Sequence, residues 1–174
     1  MNERIIALFG TGRARSGDAA WALAYETGRL LGEAGFVIAN GGYGGTMLAA
    51  AKGASEAGGE TIGVTCSAFG RGGANEYIKR EIVTDSLQER LDTLIRLGGA
   101  YVVMPGGTGT LLELAKVWEL KNKGFLGEQK PIILAGGFWR PLIDLIATDD
   151  AASSRYIQQA DSPQKIRDML TDVF

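Results

Sequence analysis

Short apolar, β-branched runs recur along the chain at residues 5–9, 36–39, 61–64, 100–104 and 131–134, with a weaker one near Ile82. Between them the apolar spacing lengthens to three and four residues. Ala20, Leu23, Ala24, Thr27, Leu30, Leu31 and Ala34 form the first such stripe, which predicts a helix. Further helices are predicted over about 44–57, 86–97, 110–123 and 138–146. A last one starts at Ser162-Pro163, an N-cap followed by proline, and is expected to bury Ile166, Met169, Leu170 and Val173. Continuous apolar strands alternating with helices predict a mainly parallel sheet with helices on both faces, a doubly wound α/β domain. No internal repeat or linker interrupts the pattern, so residues 1–174 read as a single domain.

In such folds ligands bind at the carboxyl ends of the strands. Glycine clusters fall at three predicted ends: Gly10-Thr11-Gly12, Asn40 to Gly45, and Gly106-Gly107-Thr108-Gly109. Three glycine-rich turns on one rim suggest a ligand the size of a nucleotide. The first is not a dinucleotide fingerprint, because the third glycine of that motif would fall at Arg15, and no Gly-Lys-Ser/Thr follows to make a Walker loop. Its alternatives are a plain turn or, with Arg13, Arg15 and Ser16, part of an anion site. In the third, uncovered N–H groups, the hydroxyls of Thr108 and Thr110 and a helix start combine into a phosphate cradle without a lysine.

Composition narrows the chemistry. The chain has no histidine, so any catalysis rests on carboxylates, arginines, hydroxyls or backbone groups. The single cysteine, Cys66, rules out an intrachain disulfide and reads as buried filler. With a net charge of −2 and no basic patch, no nucleic-acid partner is expected. The apolar run in MNERIIALFG is too short for a signal peptide and no run is long enough to span a membrane, so a cytoplasmic protein without a membrane partner is expected.

Two charged residues stand on the wrong side of their helices. Glu113 falls between Val117 and Leu120, inside the arc that also holds Leu114 and Trp118. Thr110 and Glu113 also fit a capping box, in which the glutamate merely satisfies a backbone donor. On the preceding helix Arg90 falls between Leu94 and Leu97, where the alternatives are a snorkelling side chain or an internal ion pair. The two helices flank the strand whose end carries the third glycine turn, so a shared site is the economical explanation. Asp85 and Glu89 read as helix-start residues, and residues 70–80 as a mobile loop over the crevice or a long connection.

The run Pro105-Gly106-Gly107-Thr108-Gly109-Thr110-Leu111-Leu112-Glu113 resembles the P-G-G-x-G-T-x-x-E motif of the Lonely Guy family, and residues 41–47 resemble its second glycine motif. The resemblance covers about residues 5–146. It implies a Rossmann-like domain, usually dimeric, that hydrolyses the N-glycosidic bond of a nucleoside 5′-monophosphate, either AMP or a cytokinin riboside monophosphate, to free base and ribose 5-phosphate. Glu113 and Arg90 would be catalytic, and Gly106, Gly107, Thr108, Gly109 and Thr110 would hold the phosphate. Gly42, Gly45 and Met47, with Gly10 and Ser16, would contact the rest of the substrate. No metal or other cofactor is implied. The chain departs from the family at Thr46 and Leu48 of the second motif and in the first loop, GTGRARSGD. The alternative is a related branch that carries molybdenum cofactor without catalysis, and Glu113 counts against it.

Overall fold

The computed structural model describes residues 4–174, so Met1 to Glu3 of the N-terminal stretch lie outside the described residues. Seven strands form one sheet: β1 (Ile5–Phe9), β2 (Val37–Asn40), β3 (Thr61–Cys66), β4 (Arg80–Thr84), β5 (Ala100–Val103), β6 (Ile132–Ala135) and β7 (Ile157–Ala160). Their order is β4-β3-β2-β1-β5-β6-β7, and every neighbouring pair is parallel. The helices are α1 (Ala19–Glu33), α2 (Thr46–Glu56), α3 (Leu87–Leu97), α4 (Thr108–Asn122), α5 (Arg140–Ala147) and α6 (Pro163–Thr171).

Strand alternation divides the core. Ile5, Ala7 and Phe9 of β1 pack with Leu94 of α3, Leu114 and Val117 of α4 and Ile143 of α5. Ile6 and Leu8 point the other way, into a second cluster with Leu31 of α1, Ala50 of α2 and Ile166 and Leu170 of α6. A strand buried on both sides cannot show a polar–apolar alternation, which is why β1 reads as a continuous apolar run. β1 pairs with β2 on one side and with β5 on the other, so the strand order reverses there. That switch point opens a crevice at the carboxyl ends of β1 and β5, and two of the glycine clusters follow those strands.

Several expectations need correction. β7, with sequence IQQA, was not among the predicted strands: it is a four-residue edge strand whose two glutamines are exposed, so it carries no apolar run. α6 does start at Ser162, whose Oγ accepts a hydrogen bond from the Lys165 N–H at 3.2 Å. It ends at Thr171, however, and Val173 is 44% exposed rather than buried. α4 begins two residues earlier than predicted, with Gly107 as its N-cap. The loop over residues 70–79 is a tied connection. Asn75 Nδ2 donates to the carbonyls of Gly42 and Tyr43, and Glu81 Oε1 accepts from the Ala74 N–H at 2.9 Å.

Candidate active site

At the switch point lies a cleft of about 330 Å³. Its walls come from five places in the chain: Gly10 to Arg13 after β1, Tyr43 and Met47 around the start of α2, Phe69 and Arg71 after β3, Arg90 from α3, and Gly107 to Thr110 with Glu113 from α4.

The floor is the start of α4. The first bond closing the helix runs from the Leu111 N–H to the Gly107 carbonyl at 2.9 Å, and no side chain caps the N-terminus. The N–H groups of Thr108, Gly109 and Thr110 therefore have no helical acceptor. Gly107 to Thr110 line the cleft, so the open start of the helix and the positive end of its dipole border it. Gly109 and Glu113 are four residues apart and share a helix face, which sets the carboxylate beside the anion-binding turn.

The early start of α4 also removes the capping-box reading of Glu113. Thr110 is a buried residue inside the helix, not its cap. Among the described residues no hydrogen bond reaches the Glu113 carboxylate. Its side chain is only 12% exposed, and burial pushes its carboxyl up to about 7, against the pull of the Arg90 charge.

Arg90 faces it. Oε1 of Glu113 and Nη1 of Arg90 stand 3.9 Å apart, close enough for attraction but too far for a hydrogen bond. The guanidinium is held independently, because its Nε donates to the Val64 carbonyl at 2.8 Å. Gly41 makes room for it: a Cβ at that position would lie 1.8 Å from Arg90 Nη2. Arg90 itself is 8% exposed.

The two upstream glycine loops are joined to each other. The Thr11 carbonyl accepts from the Thr46 N–H at 2.8 Å and from its hydroxyl at 3.1 Å. Gly10 sits under this joint, where a Cβ would meet Thr46 Oγ1 at 2.2 Å. Asn40, buried at the end of β2, accepts from the Gly42 N–H and donates to the Met47 carbonyl, which fixes the second loop.

Of the residues singled out in the sequence, Glu113, Arg90, Gly107, Thr108, Gly109, Thr110, Gly10 and Met47 all line this one cleft. Gly42, Gly45 and Gly106 do not line it. Gly42 and Gly45 shape the second loop with left-handed backbone, φ +76° and +65°. Ser16 is exposed and does not line the cleft. Phe69 was missed by sequence reading, and Tyr43 and Arg71 carried no assigned role. They belong to short irregular segments, where no periodicity marks a side chain as inward-facing. Cys66 is buried, and its backbone anchors the Tyr43 hydroxyl.

The family model described as "Possible lysine decarboxylase" matches residues 47–170. A cytokinin riboside 5′-monophosphate phosphoribohydrolase of Mycobacterium tuberculosis is 36% identical over 115 residues, 64% of this chain and 60% of that protein. One of Mycobacterium marinum is 30% identical over 119 residues, 67% of this chain and 62% of that protein. The chain thus spans less than two thirds of either phosphoribohydrolase. Among solved structures, a molybdenum cofactor binding protein from Rippkaea orientalis superposes with a TM-score of 0.81 at 27% identity, covering 99% of this chain and 98% of that one.

Proposed function

The chain belongs to the Lonely Guy family, whose model is described as possible lysine decarboxylase, and we propose that it hydrolyses the N-glycosidic bond of a nucleoside 5′-monophosphate. The observation that carries this reading is the pairing of Glu113 with Arg90 at 3.9 Å beside the open start of α4. The phosphate rests on Gly107 to Thr110, and its binding energy positions the ribose over Glu113. As the bond from C1′ to the base nitrogen lengthens, positive charge develops on the sugar. The Glu113 carboxylate stabilises that charge and takes a proton from the attacking water, whose oxygen bonds to C1′. The bonding electron pair leaves with the base nitrogen, which takes up a proton from solvent while Glu113 releases to solvent the proton it took from water, giving free base and ribose 5-phosphate. Arg90 favours the ionised form of Glu113, the form that can act as a base.

A second reading is favoured by the likeness to the Rippkaea orientalis protein, namely a carrier of molybdenum cofactor. The anion cradle fits the phosphate of such a ligand. Glu113 counts against this reading, since a carrier has no use for a carboxylate set opposite an arginine with its oxygens free of hydrogen bonds among the described residues. The proposal also includes a homodimer. Its support is an apolar groove of about 170 Å³ along α4 and α5, lined by Leu111, Leu142 and Ile146, with Leu145 exposed nearby.

The reading is tested by incubating the protein with AMP and with a cytokinin riboside monophosphate and separating the products by chromatography. Free base and ribose 5-phosphate in equal amounts are expected. Tight nucleotide binding with no base released would favour the carrier.

A further inference from the structure

The cleft holds one group of side chains that neither the cradle nor the acid–arginine pair accounts for. Tyr43 and Phe69 stand with ring centroids 6.2 Å apart, tilted by 42°. The guanidinium carbon of Arg71 lies 5.2 Å from the Tyr43 ring centre and 5.7 Å from that of Phe69. That of Arg90 lies 5.6 Å from both. Arg90 is thus the common neighbour of the aromatic pair and of Glu113.

The two rings differ in how they are held. Tyr43 is fixed, since its hydroxyl accepts from the Cys66 N–H at 2.8 Å and donates to the Cys66 carbonyl at 3.3 Å. Phe69 is 38% exposed in a single turn after β3 and lines the cleft. Arg71 is exposed and, among the described residues, makes neither an ion pair nor a hydrogen bond. An exposed phenylalanine beside a charged side chain that touches only rings contributes little to stability, but it leaves flat aromatic surface at the cleft wall for a flat ligand.

We propose that Phe69 and Tyr43, with Arg71 as a movable cover, are the platform on which the aromatic base of the substrate stacks. The inference rests on reading the cleft as a nucleoside monophosphate site. It assigns base recognition in that site to stacking on Phe69.

The test is a calorimetric titration of the full chain and its variants with two ligands. One is formycin 5′-monophosphate, whose base is joined to ribose through carbon and cannot be hydrolysed. The other is ribose 5-phosphate, which has no base. Phe69→Ala and Phe69→Leu should each weaken formycin 5′-monophosphate binding about tenfold while ribose 5-phosphate binding stays within about twofold. Phe69→Tyr should restore the wild-type value. Unchanged formycin 5′-monophosphate binding in both Ala and Leu variants, or an equal loss for both ligands, overturns the platform and leaves the nucleotide reading standing. If the wild-type protein binds neither ligand, the nucleotide reading itself fails, and the platform fails with it.

Discussion

Glu113 of α4 and Arg90 of α3 meet across the cleft with Oε1 and Nη1 3.9 Å apart, each held in place without the help of the other. Arg90 is anchored through Nε to the Val64 carbonyl, and Glu113 by the packing of α4 around Leu114 and Val117. A pair bonded at shorter range would occupy part of the carboxylate's acceptor capacity. At this distance the charge is influenced while the oxygens stay available for chemistry.

The first prediction concerns pH. Burial raises the Glu113 carboxyl to about 7, and the proposed mechanism needs its ionised form. kcat/KM for AMP should therefore rise about tenfold per pH unit below about pH 7 and level off above it. A pH-rate profile between 5 and 9 checks this, and a profile flat down to pH 5 would contradict it.

The same group makes stability depend on pH with the opposite sign to that of a salt-bridged carboxylate. Its folded pKa lies above the unfolded value, so the folded state holds the extra proton between about 4.5 and 7. Stability attributable to this group is present below that window and is lost as pH rises through it. Between pH 5 and pH 8 the wild type should lose on the order of 2–3 kcal/mol relative to Glu113→Gln. Urea unfolding of both proteins at the two pH values measures the difference, and parallel behaviour would refute the burial argument.

Gly41→Ala should separate activity from stability. The new Cβ would fall 1.8 Å from Arg90 Nη2, the end of a flexible side chain that can swing aside. The expected result is a loss of roughly tenfold or more in kcat, since displaced catalytic geometry is costly. The melting temperature should move by only a few degrees. Full activity in this variant would remove Arg90 from the mechanism.

Gly28 makes a contrasting case. It lies where α1 crosses α2, and a Cβ there would meet the Ala50 carbonyl oxygen at 2.1 Å, a backbone atom that cannot rotate away. Alanine would gain about 1 kcal/mol in helix propensity. The clash costs more, about 1–3 kcal/mol, because the helices must separate. Gly28→Ala should thus be less stable than wild type in urea, and a stabilised protein would show that the two helices part easily.

The site was legible in the sequence where periodicity could be violated. Glu113 and Arg90 sit in regular helices, so a charge inside an apolar arc stands out, and the structure brings both, largely covered, to the wall of one cleft. Thr108 and Gly109 were read as loop because glycines at 107 and 109 hide a helix start, and that misplacement alone created the apparent capping box. Phe69 and Arg71 lie in a turn with no repeat, where nothing in the sequence tells which way a ring faces. The core strands declared themselves by unbroken apolar runs, whereas β7 pairs along one edge only, leaving its glutamines in solvent.

The central claim is that Glu113 performs chemistry on a nucleotide held by the start of α4. Its most direct test is adenine release from AMP by the wild type and by Glu113→Gln, with AMP binding measured in the variant. Release by the wild type, a drop of about a thousandfold or more in the variant and retained binding are the expected results. Equal rates of release in the two proteins would contradict the account.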